Sequence, residues 1–348
     1  MKHCIVLISL LIFLGCQRIT PPANEDPLAA NGKVAAVDGH AKIVAEDDRA
    51  RVIVDRLGRT FRFVEVPQRI ISLSPSTTEL LFAIGAGPQI VGATQYCDYP
   101  AEASQIPRVG AGTLESMSRE TILSLKPDLV LCQWDNHQPL IESLERLRVP
   151  VIAIGPEKLK ELFEEATLLG QVLGHELEAS QLIESMTRRL DRLTSCVNSL
   201  PQSQRRTVFY EVWDKPLMTA GPNSFIGELL VLGGMKNIFS DTEPRYPRVS
   251  DEVVVHRDPE VILAPSTHAD QVSFEKLAGR QGWGQILAIR EKQVFLIDGD
   301  QVSRCGPRLL DALESMIEAV YPQRYATLAD TARLGGDPSA AIAKDANH

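Results

Sequence analysis

The sequence predicts an α/β protein of two related lobes with mostly parallel sheets, joined by one long rigid helix. Three observations carry that expectation. Glu120 to Leu131, ETILSLKPDLVL, returns 132 residues later as EVVVHRDPEVIL, Glu252 to Leu263, with a serine two places before each glutamate (Ser118, Ser250). Each copy reads as a short helix with a serine cap and a first-turn carboxylate, then a proline turn feeding a buried strand. Strand and helix patterns alternate on either side of the repeat, as in parallel sheets covered on both faces. Between the copies, Ala179, Ile183, Met186, Leu190, Leu193 and Val197 form one apolar helical stripe within 176–198, long enough at about 1.5 Å per residue to back two lobes. A coiled-coil dimer would need a longer heptad run and less globular flanks.

A chain of 348 residues has room for two such lobes. Hydrophobic content of 44% with a net charge of -9 describes an ordinary water-exposed globular protein. With acidic charge in excess and no Lys/Arg stripe, nucleic acid is excluded as a partner class.

Taken in order, the chain opens with a basic start, Met1-Lys2-His3, then an apolar run, Cys4 to Leu14, too short for a comfortable bilayer span. With Gly15-Cys16 this resembles a bacterial lipoprotein signal over residues 1–15, in which Cys16 becomes the lipidated first residue. An ordinary secretory signal with a chance cysteine is the alternative, and both imply export. Residues 16–50 lack periodicity and read as a flexible tether. Cys97, Cys132, Cys196 and Cys305 then remain, without C-x-x-C spacing, so neither a disulfide pairing nor a metal site follows from them.

Residues 51–156 form the first predicted lobe. VIVDRLGRTFRFVEVP is a hairpin around Leu-Gly-Arg, and RIISLSPSTTELLFAIGAG is a strand, a helix capped at Ser74 or by the box Ser76 to Glu79, and a glycine stop. Strand QIVGAT ends at Tyr96, and strand DLVLC runs into Trp134. Residues 157–201 are the linking helices. The second lobe, 202–322, begins with strand TVFYEVW, ending at Trp213, and includes the loop with Tyr246, the late strand VFLIDGD and the loop Asp300-Gln301-Val302-Ser303-Arg304 before a final helix. Residues 323–348 read as a flexible tail.

In this order the hairpin, the Tyr-x-Asp-Tyr-Pro loop at Tyr96, LKPDLVL, the long helix, YPRVSDE and the final GPR helix resemble the periplasmic binding proteins of ABC transporters that capture cobalamin, siderophores and haem. The similarity covers about residues 51–322 and leans toward the cobalamin binders. It implies two Rossmann-like lobes with the ligand in the cleft between them, an ABC permease and ATPase as partners, a monomer, and a periplasmic or envelope location held by the lipid on Cys16. It also implies cobalamin contacts at Tyr96 and Asp300 to Arg304, and permease docking through one glutamate per lobe, Glu120 and Glu252.

Physical chemistry adds that a bulky amphipathic corrinoid needs aromatic walls, and Tyr96, Trp134, Trp213 and Tyr246 follow strands or sit in loops where an open sheet receives ligands. The sequence departs from the cobalamin binders with Gln301-Val302 where aromatic residues occur and Tyr246 where tryptophan is common. Trp283 reads as a packing residue. Arg245, Arg248, Arg304 and Arg308 keep an anionic siderophore in view, and Tyr96 a haem. His137, His256 and His268 form no recognisable metal set, and no nucleophile elbow, phosphate loop or zinc motif marks an enzyme, so no cofactor beyond the transported ligand is expected.

Overall fold

A computed structural model describes residues 41–47, 50–111, 116–134, 138–268 and 272–333. The candidate signal, Cys16, Asp135 and His137 lie outside the described residues. β1 (Lys42–Asp47), β2 (Ala50–Val54) and β3 (Thr60–Phe63) form a small antiparallel sheet in that order. β2 and β3 are the hairpin read from the sequence. β1 lies inside the expected tether, so regular structure begins earlier than residue 51. Asp55 shapes the hairpin turn by accepting the amides of Leu57 and Arg59, and it also accepts Ala153 N, which ties the hairpin to the first lobe.

The first lobe continues as β4 (Ile70–Ser72), α1 (Pro75–Ala83), β5 (Ile90–Ala93), α2 (Arg119–Ser124), β6 (Leu129–Gln133), α3 (Gln138–Arg146) and β7 (Val151–Ile154). Its four strands are parallel in the order β5-β4-β6-β7. α4 (Leu159–Leu173) ends on Gly174, whose φ of 74° is the left-handed conformation glycine supplies cheaply. α5 (Glu176–Asn198) then runs for 23 residues. The second lobe comprises β8 (Thr207–Trp213), β9 (Met218–Thr219), α6 (Phe225–Leu232), β10 (Lys236–Asn237), α7 (Asp251–Arg257), β11 (Val261–Pro265), α8 (Phe274–Ala278), α9 (Leu287–Arg290), β12 (Val294–Ile297), α10 (Gly299–Val302) and α11 (Leu309–Val320). Its parallel strands run β10-β8-β11-β12, the same order as in the first lobe when β8 is matched to β4, and β9 pairs antiparallel with β8.

Each sheet has one private face and one shared face. Ile71, Val130 and Ile141 sit in a cluster confined to the first lobe, and Phe209, Ile262 and Trp283 in one confined to the second. The other faces join one continuous core, from Ile70 and Leu131 through α4 and α5 to Val208, Leu263 and α11. The two lobes therefore do not have wholly separate interiors, because the stripe of Ala179, Met186, Leu193 and Val197 belongs to the core of both. α12 (Pro322–Arg333) packs on α11 and α5, so regular structure extends into the expected tail.

Candidate functional site

The carboxyl ends of the two sheets face each other across a seam. From the first lobe come α1 after β4, Tyr96 and Asp98 after β5 and Trp134 after β6, with Glu157 at the start of the linking segment after β7. From the second come Arg245, and Asp300 to Arg308 after β12. Arg304 bridges the seam: one nitrogen donates to Glu79 Oε1 at 3.0 Å and to Asp98 Oδ1 at 2.9 Å, while the other donates to Asp300 at 2.8 Å. Arg308 reaches the same Glu79 with two hydrogen bonds, at 3.0 and 2.6 Å, and its guanidinium lies 3.9 Å from the centre of the Tyr99 ring. Burial alone would make Arg304 easier to deprotonate, but its bonds to Asp98 and Glu79 outweigh that and raise its pKa. The Glu79 hydrogen bond raises that of Arg308.

Farther along the seam Arg245 is ion-paired with Glu157, which lies 3.8 Å from Arg56 of the first lobe. Both arginines stand by Trp134, at 5.0 Å for Arg56 and 6.0 Å for Arg245 from the ring centre. Leu159 N donates to Glu228 at 2.9 Å, so the start of α4 is also tied to the second lobe.

The expected ligand residues divide into four groups, of which Val302 alone is the last. Tyr96 and Trp213, 55% and 42% exposed, present large rings at strand ends, and Trp213 Nε1 donates to Lys215 O. Asp300 and Ser303 are exposed, and Gln301, Arg304 and Trp134 are half-buried at the seam. Tyr246 is half-buried, edge-on to Phe225 and packed against the shared core, so it offers only part of its ring.

Val302 is a correction. It is fully buried in the shared core and cannot be a ligand contact. The cause is local: Asp298 caps Asp300 N and Gln301 N, turning the expected loop into a helical turn that directs residue 302 inward while 300 and 303 face out. Trp283 is buried as expected, its indole N–H donating to Asp251 at 2.7 Å.

Sequence reasoning missed Glu79 and Glu157 as seam residues. Glu79 read as a capping-box member, but the cap of α1 is Ser74, and the carboxylate crosses to the other lobe. Only the excess of arginines around the cleft hinted that carboxylates should face them.

Glu120 and Glu252 are exposed, one in the first turn of a helix in each lobe. Ser118 Oγ donates to Glu120 at 3.3 Å, and the Ser250 side chain, hydrogen-bonded to Glu252, lowers the pKa of that carboxyl. Among the described residues no group of three or more His, Cys, Asp and Glu side chains is placed to hold a metal ion, and no helix is long and apolar enough to cross a membrane.

Two similar α/β lobes with opposed strand ends, aromatic rings and polar hooks define a bilobal solute-binding protein. The chain belongs to the periplasmic binding protein family, whose model matches residues 70–301. It is 30% identical over 264 residues to the ABC transporter substrate-binding lipoprotein YvrC of Bacillus subtilis (strain 168), covering 74% of this chain and 82% of that one. It is also 30% identical to the vitamin B12-binding protein of Yersinia pestis (strain Pestoides F), covering 73% and 86% of the two chains. The structure superposes with a TM-score of 0.66 on a possible iron-binding, periplasmic solute-binding protein of Staphylococcus epidermidis ATCC 12228, at 28% identity over 74% of this chain and all of the other. The chain is accordingly an ABC-transporter solute-binding protein, and its family is one of solute transport.

Proposed function

We propose that the protein captures a corrinoid, cobalamin, in the seam between its lobes and delivers it to an ABC permease and ATPase, without chemistry of its own. The observation that carries this choice is the charge balance of the seam. Arg304 and Arg308 face three carboxylates, Glu79, Asp98 and Asp300, and Arg245 faces Glu157. A trianionic siderophore or a haem with two propionates needs several uncommitted cations, and here each of these arginines already has an internal carboxylate partner. A bulky ligand with an apolar ring system and neutral amide arms asks instead for exposed aromatic faces, which Tyr96 and Trp213 supply. Similarity to the vitamin B12-binding protein of Yersinia pestis supports the same ligand.

In this reading residues 1–15 direct export, lipidated Cys16 holds the protein at the membrane, and Glu120 and Glu252 meet equivalent surfaces on the two permease subunits. The protein acts as a monomer without a resident cofactor. Calorimetry of the mature protein against cobalamin, cobinamide, haem and ferric siderophores tests the ligand. The expected result is a Kd for cobalamin at or below about 1 µM, with Tyr96→Ala and Trp213→Ala each weakening it by about 1–3 kcal/mol. Heat from haem or a ferric siderophore, and none from cobalamin, would overturn the ligand while leaving the class intact.

A further inference from the structure

We propose that Glu79 is a positioning residue that latches the two lobes through Arg304 and Arg308, holding the seam shut and fixing the arginine at the ligand site. The role given to Arg304 rests on the reading above; the latch itself rests on geometry alone.

Glu79 lies on α1 of the first lobe and is only 3% exposed. Its carboxylate makes no cap to its own helix; it receives three hydrogen bonds from two guanidinium groups of the other lobe. The contact from Arg308 is two-pronged, a geometry that fixes orientation as well as distance. Asp98 adds a second carboxylate of the first lobe on Arg304, and Asp300 steadies Arg304 from its own lobe.

The backbones meet at the same place. A Cβ placed on Gly306 would lie 3.5 Å from Ser76 Cα, one turn before Glu79. A cavity of about 440 Å³ borders the contact, lined from the first lobe by Phe82 and Tyr99, from α5 by Arg189 and from the second lobe by Arg308.

A carboxylate buried this deeply is tolerated only while its cations stay in place, because an unpaired buried charge is strongly unfavourable. Opening the seam breaks the bonds of Glu79 to both arginines and of Asp98 to Arg304 at once. In the latch these charge-assisted bonds outweigh the hydration that the separated groups would regain, and they hold Arg304 in a fixed pose. Salt weakens such charge pairing where water reaches it, so the latch loosens as ionic strength rises.

Electron-spin distance measurements test this without any ligand. Among the described residues Cys97, Cys132, Cys196 and Cys305 are buried, so in a protein that starts after the signal and carries Cys16→Ser, spin labels on S104C in the first lobe and E243C in the second react selectively. The expected result is one narrow distance distribution for the parent, broadened and displaced to longer separations by Glu79→Gln. Arg308→Gln should do the same to a smaller extent, since it leaves the Arg304–Glu79 bond, and adding it to Glu79→Gln should change little further, because Arg308 acts in the latch through Glu79. Glu79→Asp should fall between. Matching circular dichroism shows that the variants are folded. A Glu79→Gln distribution that overlays the parent at low and high salt, or fully additive effects of the two substitutions, would overturn the latch. Failure of cobalamin to bind in calorimetry would overturn only the ligand.

Discussion

Glu165 shows how one side chain can set the pH response of the fold. It is buried on α4, its carboxylate accepts Gly155 N at 2.8 Å, and burial pushes its pKa from 4.5 up to about 7, with the Gly155 bond and the Arg56 charge opposing and Glu161 adding to the rise. Since the folded pKa lies above the unfolded one, the favourable contribution is complete below about pH 4.5 and is lost as pH rises through about 7. The span corresponds to about 3 kcal/mol. Glu165→Gln keeps an acceptor for Gly155 N and removes the titration, so thermal melts of the variant should show a smaller Tm difference between pH 5 and pH 8 than the parent. An unchanged difference would place the response elsewhere. Burial also separates the expected site residues: Tyr96 and Trp213 stay at the surface, whereas Val302 does not. Residue type could not distinguish them, since α10 forms on a cap whose effect depends on backbone direction.

At the scale of elements the repeat is closer than its letters suggest. α2 and α7 begin 132 residues apart, as do β6 and β11, and Lys126 and Asp258 both adopt left-handed backbone, φ 48° and 41°, before the proline. The acidic residue after each proline does one job twice: Asp128 accepts Gln68 N and Arg69 N before β4, and Glu260 accepts Thr207 N at the start of β8. These carboxylates fasten each repeat to the first parallel strand of its lobe, with Glu120 and Glu252 at the same first-turn position of their helices. Reversing both, Glu120→Arg with Glu252→Arg, should leave ligand affinity unchanged and weaken stimulation of a reconstituted permease–ATPase at least tenfold, about 1.4 kcal/mol. Undiminished stimulation would remove the docking role. The helix, turn and strand of each copy were legible in the sequence, because caps, prolines and apolar periods act within about ten residues. Glu79 was not, because its partners are more than 200 residues away.

At the scale of the molecule the lobes share material. α5 is packed against α1, α4, α11 and α12, and Leu193 lies in a core that runs from β4 to β11. Leu193→Ala should cost about 2–5 kcal/mol and lower the melting of both lobes together, as one calorimetric transition. A first lobe that melted at its parent temperature while the second melted early would show independent cores. A shared core also favours limited lobe rotation over wide opening, because a large swing would expose α5 surface that both lobes bury.

The sequence by itself determined the two-lobe α/β plan, the long helix, the duplicated helix–turn–strand and its paired glutamates, since these follow from period, caps and repeat. Only tertiary structure decided that the lobes share an interior, that Val302 turns inward, and that Arg304, Arg308 and Arg245 are bound to carboxylates of the opposite lobe or the linker. Burial and ion pairing are properties of residues brought together from distant parts of the chain, and no local pattern encodes which charges will meet.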